Sequence, residues 1–193
     1  MRIRTHIAVS VDGFIASPDG MPTILTAPDF ESGLSHGHPE FIAGCGAVVM
    51  GRSTFVPAVG SPHWPWPNLR VFVLTSRPLP EGTPADVVSA ADPAELLRLM
   101  RDADFAGDVH VVGGQQTIQA FRDIDALDEL GVVVMPILLG DGLRLTPDKS
   151  KTTPLQLTGT RTFPDGSVEH VYTPARDQDR PEENPCARSC STT

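Results

Sequence analysis

Apolar residues along this chain come in short runs separated by proline, glycine and small polar residues, and the length and period of each run separate strand from helix. Ile3, Ile7, Val9 and Val11 alternate with other residues and predict a strand that breaks at Asp12-Gly13. Phe14-Ile15-Ala16 is a second apolar fragment, ended by the turn signal Ser17-Pro18-Asp19-Gly20. Residues 21–39 are rich in Pro, Gly, Asp and His without a period; they predict a functional loop with a short helix near 30–34. A helix over 39–43 then leads into a strand over 47–50. Residues 57–70 hold four prolines around Trp64 and Trp66, a density that predicts irregular chain. Strands are expected next at 71–74 and 86–89.

Asp92-Pro93-Ala94-Glu95 supplies an N-cap, a proline at the first helical position and an acid three residues after the cap. Leu96, Leu97 and Met100 recur at helical spacing, and Gly107 closes the segment. A strand over 109–112, a diglycine and a helix over 115–122 follow. Residues 127–135 predict a further strand, continued by 136–139 and turned by Gly140-Asp141-Gly142. Runs at 153–163 and 168–173 flank Pro164-Asp165-Gly166-Ser167, a hairpin signal. Alternation of strand and helix followed by a hairpin predicts an α/β fold: a mixed, mainly parallel sheet flanked by helices, with an antiparallel C-terminal hairpin. One domain over 1–174 and a disordered, Pro-, Glu-, Arg- and Ser-rich tail over 175–193 complete the expected organisation.

A formal charge of −9, with no basic stripe, argues against a nucleic-acid binder. No apolar run approaches the roughly 18 residues of a membrane span, and no secretory signal pattern opens the chain, so a cytoplasmic protein is expected. Three cysteines do not make a disulfide framework. Cys45 is expected to be a small buried residue, and Cys186 and Cys190 lack further metal ligands nearby. No metal site is predicted.

The chemistry is expected at strand ends. Val111-Val112-Gly113-Gly114-Gln115-Gln116-Thr117 joins a strand to a helix through two residues without side chains, so a pyrophosphate can approach the backbone and meet unpaired helix N–H groups. Gly51-Arg52-Ser53-Thr54 repeats that layout, and Leu74-Thr75-Ser76-Arg77 ends a strand with two hydroxyls and a guanidinium. Each segment alone also reads as an ordinary turn; together they describe a cradle for a phosphorylated dinucleotide. Neither the Rossmann nor the P-loop glycine pattern is present. Trp64 and Trp66 read either as a wall for a planar ring or as loop anchors.

In the order Ser10-Val11-Asp12-Gly13-Phe14-Ile15-Ala16, VVMGRSTF, VFVLTSRP, VHVVGGQQTI, Leu127-Asp128-Glu129-Leu130 and Pro136 to Gly142, the chain resembles the dihydrofolate reductase-like superfamily. The similarity is to its branch of riboflavin-biosynthesis C-terminal reductase domains, and covers about residues 2–174. The resemblance implies NADPH across the strand ends, a small-molecule substrate and a homodimer. It implies that Ala8, Ile15 and Ala16 border the nicotinamide and that Gly51, Arg52, Ser53 and Thr54 bind phosphates. It further implies that Leu74, Thr75, Ser76 and Arg77 surround the adenosine end, and that Gly113, Gly114, Gln115, Gln116 and Thr117 hold the pyrophosphate.

On the substrate side, Thr23 stands after Met21-Pro22 where folate reductases carry tryptophan, which separates the chain from folate reduction itself. Asp12 of the S-x-D-G pattern is the first candidate to supply a proton and Asp29 the second. Glu31, His36 and His38 share the same loop, and a turn residue is the alternative for Asp12. The implied activity is hydride transfer from NADPH to a small planar N-heterocycle or a related imine or carbonyl. A riboflavin-pathway uracil reductase and a non-catalytic NADP-binding protein are the alternatives.

Overall fold

A computed structural model describes residues 1–26, 36–148 and 150–175. The expected helix at 30–34, Asp29, Glu31 and the tail beyond 175 lie outside them. The described residues form ten strands and five helices, in chain order β1 (Ile3–Ser10), β2 (Phe14–Ala16), α1 (Thr23–Thr26), α2 (His38–Ala43), β3 (Cys45–Gly51), α3 (Arg52–Val59), β4 (Arg70–Leu74), β5 (Val88–Ala90), α4 (Pro93–Asp102), β6 (Asp108–Gly113), α5 (Gln115–Asp123), β7 (Glu129–Met135), β8 (Leu143–Arg144), β9 (Leu155–Thr162) and β10 (Val168–Pro174).

Eight strands form one sheet in the order β5-β4-β3-β6-β1-β7-β10-β9, parallel from β5 through β7 and antiparallel from β7 through β10 to β9. The hairpin at Pro164-Asp165-Gly166-Ser167 closes that edge as expected. The central strands read as continuous apolar runs because both of their faces are covered. Along β3, Ala47 and Val49 enter the core under α4 and α5, while Val48 and Met50 enter a second core with Phe55 of α3, Trp64 and Trp66. Amphipathic α4 buries Leu96, Leu97 and Met100, and its Asp92 cap accepts the Glu95 N–H at 2.8 Å.

Four expectations need correction. Helix α3 runs past Pro57 to Val59, because fully buried Phe55 and buried Ala58 anchor it at the cost of the hydrogen bond that proline cannot donate. Residues 136–139 do not prolong β7; their backbone turns back to β1, where Val11 N–H meets the Ile137 carbonyl at 2.9 Å. Strand β8 was not foreseen and pairs antiparallel with β2 in a separate two-stranded sheet. Helix α1 occupies part of the stretch expected to be loop, with Thr23 Oγ1 donating to the Phe14 carbonyl at 2.7 Å.

Candidate functional site

The C-terminal ends of β3, β4 and β6 open into one cleft of about 510 Å³. It is lined by Gly51, Arg52 and Ser53, by Leu74, Thr75, Ser76 and Arg77, and by Gly114, Gln115, Gln116 and Thr117, together with Ala91 and Leu143. Three segments spread over residues 51–117 thus converge. Parallel strands bring this about, since each delivers its following loop to the same edge of the sheet.

Two helices, α3 and α5, begin at this cleft, and neither has a side-chain N-cap. Their first-turn N–H groups and the positive ends of their dipoles therefore face the cavity. Gly51 lets the two starts approach each other: a Cβ there would lie 2.8 Å from Thr117 Oγ1. Gly113 has φ +140°, a backbone region that glycine enters without penalty, and the Gly113–Gly114 peptide is cis. Thr117 and Ile118 N–H both bond the Gly114 carbonyl, at 3.0 and 3.2 Å, which seats the first turn of α5.

The charge of the lining has one sign. Arg52 and Arg77 contribute guanidinium groups, and among the described residues the lining contains no Asp or Glu. Among the described residues neither arginine is in an ion pair. Arg52 donates to the Pro78 carbonyl, and the Arg77 N–H donates to Thr75 Oγ1 at 3.1 Å, so the loop after β4 is folded around both. Gln115 Oε1 is a buried acceptor without a partner among the described residues, suited to a ligand hydroxyl or amide. The guanidinium and helix N–H donors suit a multiply anionic, phosphorylated molecule.

Of the candidates from sequence, eleven line the cleft; Thr54 and Gly113 do not, and neither do Ala8, Ile15 or Ala16. Ile15 and Ala16 are buried in β2, where Ala16 pairs with the cleft residue Leu143. Ala8 lies in the middle of β1, opposite Val133. Sequence reading missed Leu143 because a two-residue strand has no period, and missed Ala91 because only its place after β5, beside Leu74, brings it there.

Asp12 is not in the cleft lining. It accepts from Ser10 Oγ at 2.6 Å, from Leu139 N–H at 3.1 Å and from Gly140 N–H at 2.7 Å. The Ser10 hydroxyl, with the two amides adding to it, holds its pKa down at about 2. In this state it is a carboxylate, and it ties the end of β1 to the chain leading to β8. His36, expected on a solvated loop, is buried: its Nε2 lies 2.8 Å from Asp165 Oδ2 and its ring edge meets Phe163. Trp64 donates its indole N–H to the Trp66 carbonyl at 3.1 Å and stands edge-on to Phe55, which makes the pair a loop anchor.

Comparison with known proteins places this architecture. The sequence model of the RibD C-terminal domain matches residues 2–168. The uncharacterized protein YwjB of Bacillus subtilis (strain 168) is 30% identical over 160 residues, covering 82% of this chain and 90% of that protein. Uncharacterized YyaP of the same strain is 26% identical over 184 residues, covering 89% and 94%. A crystal structure of a Shewanella sp. PV-4 protein assigned to riboflavin biosynthesis superposes with TM-score 0.75 at 25% identity, over 91% of this chain and all of that one. The Thermotoga maritima diaminohydroxyphosphoribosylaminopyrimidine deaminase/5-amino-6-(5-phosphoribosylamino)uracil reductase shares the fold, with TM-score 0.67 at 18% identity; 90% of this chain matches 56% of that one. With a dihydrofolate reductase-like sheet and a family match over nearly its whole described length, the chain belongs to the RibD C-terminal domain family.

Proposed function

We propose that this protein is an NADPH-dependent reductase acting on a small planar N-heterocycle, or on an imine or carbonyl related to one. The observation that carries the reading is the acid-free cleft where Arg52, Arg77 and two uncapped helix starts converge. Membership of a reductase family supports the same class. The residues present fit the cofactor. Its pyrophosphate would lie against the starts of α3 and α5, and Arg77 with Ser76 would meet a ribose phosphate. When bound, NADPH supplies the hydride; the chain supplies binding and orientation. Asp12, held as a carboxylate, acts as a positioning residue that fixes Leu139 and Gly140 and through them β8.

The test is a fluorescence titration with NADPH and, in parallel, NADH. NADPH is expected to bind at least tenfold more tightly than NADH, and Arg77→Ala is expected to remove most of that difference. Absence of binding to either nucleotide overturns the reading. A second reading, a uracil reductase of the riboflavin type, rests on the family match. It predicts NADPH oxidation with 5-amino-6-ribosylaminouracil phosphate and none with pterins or simple imines.

A further inference from the structure

The face of the sheet away from α4 and α5 carries a polar cluster that the cleft does not use. His6 on β1 and His110 on β6 lie under α2, whose Phe41 ring stands 5.2 Å from the His6 ring and 4.9 Å from the His110 ring. His38, exposed at the start of α2, closes the group at 5.9 Å from His6 and 5.8 Å from His110. His110 is 4% exposed, and among the described residues neither of its ring nitrogens has a well-formed hydrogen bond, the His6 backbone giving only weak support to its charged form. An imidazole so placed packs as an aromatic ring only while it is uncharged.

Among the described residues the counter-charge within reach of the cluster is Glu169, beside His6, and it is shared with Arg161. Arg4 of β1 lies 4.7 Å over the Phe41 ring and is held by Asp108 of β6 and Glu129 of β7. Glu169 of β10 approaches His6 Nε2 at 3.1 Å with one oxygen, while Arg161 of β9 holds the other at 2.9 Å. Cys45 of β3 donates its thiol to the Phe41 carbonyl, and burial keeps it protonated. On α2 itself, Glu40 is exposed. The charges nearest His110 are those of His38, His6 and Arg4, and each opposes its protonation.

We propose that α2 is an acid-sensitive cover, held on the sheet by three neutral imidazoles and released when they take up protons. Its movement would uncover the face of β1 that also carries Ala8. Burial, with the neighbouring imidazoles adding to it, pushes the His110 pKa down to about 3; burial also lowers that of His6 against the pull of Glu169, and the covered side of the otherwise exposed His38 ring lowers that of His38. An open state exposes histidines of ordinary pKa, about 6.5. The closed state binds fewer protons, so closure is favoured above about pH 6.5 and weakens as pH falls below it. Each histidine that titrates only when open raises the open fraction about 30-fold between pH 7.5 and 5.

Cys45 reports the motion, because its buried thiol touches the last turn of α2. In the full chain with Cys186 and Cys190 replaced by serine, its labelling by 4,4′-dithiodipyridine is measured from pH 7.5 to 5. Rates are normalised to the denatured protein at each pH, and tryptophan emission is followed alongside. Protection is expected to fall at least tenfold while emission stays native. His110→Phe, an uncharged ring in the same place, should abolish most of that fall. His38→Gln, at an exposed position that does not put folding at risk, should reduce it. Protection that does not change with pH, a full fall in both variants, or a fall that coincides with loss of native emission overturns the proposal.

Discussion

Gly142 is the position where one added methyl group should do most harm to the cleft without touching the main sheet. Its φ is +136°, and a Cβ there would lie 2.1 Å from the Ala16 carbonyl oxygen. To reach ordinary van der Waals distance the two segments must separate by about 1 Å or more, and the atoms met, in Ala16 and Ser17, are all backbone, which cannot swing aside. Gly140 is the matched control: its φ is +76°, yet nothing lies within 4 Å of the Cβ position. Gly140→Ala and Gly142→Ala both incur the left-handed penalty of about 1–2 kcal/mol. Only Gly142→Ala adds the collision, about 1–3 kcal/mol more by comparison with other overpacked sites. Thermal denaturation followed by circular dichroism measures both, and the excess should appear as a further drop in melting temperature of about 2–4 °C per kcal/mol. Since Leu143 follows directly and lines the cleft, Gly142→Ala should also weaken nucleotide binding, whereas Gly140→Ala should not. Equal stabilities for the two variants would refute the argument that space at Gly142, and not its dihedral angle, is what excludes a side chain.

Two further outcomes are expected. Asp12→Asn replaces an acceptor of three hydrogen bonds by a group with one acceptor oxygen, so amide exchange at Leu139 and Gly140 should accelerate. Because the folded pKa of Asp12 lies below its unfolded value, its contribution to stability is present above about pH 4 and lost as pH falls toward 2; an acid titration of Asp12→Asn should therefore be shallower in that window, and an unchanged slope would contradict the assignment. Phe121→Ala removes a fully buried ring from the core under α5 and should cost about 3–5 kcal/mol in urea unfolding, with a loss below about 1 kcal/mol contradicting the packing described.

The cleft was legible in the sequence because its parts are local: strand, glycine, helix start, repeated at Gly51 and Gly114, with a hydroxyl-rich strand end at Leu74. Parallel pairing then brings those segments together without further information. What escaped was set by contacts at long range. Nothing near Leu143 in the chain announces its partner Ala16, and Asp12 meets Leu139 and Gly140 across more than a hundred residues. An Asp-Gly turn and a proton donor look identical until the donors around the carboxylate are known. Likewise His36 reads as a loop histidine until Asp165 and Phe163 enclose it. Pro57 failed as a helix breaker because tertiary burial of Phe55 and Ala58 outweighed one missing hydrogen bond.

The position of β1 between β6 and β7 has a consequence for how the chain is made. Within this domain β1 is synthesised before the two strands that flank it in the finished sheet, Asp108–Gly113 and Glu129–Met135, which follow about a hundred residues later. Ile3, Ile7 and Val9 must wait unpaired through that interval, a long loop closure that slows folding and leaves an apolar strand open to misassociation. Removing β1 would for the same reason not fray an edge: it would divide the sheet into two blocks, β5-β4-β3-β6 and β7-β10-β9, with the seam between them running where β1 had been.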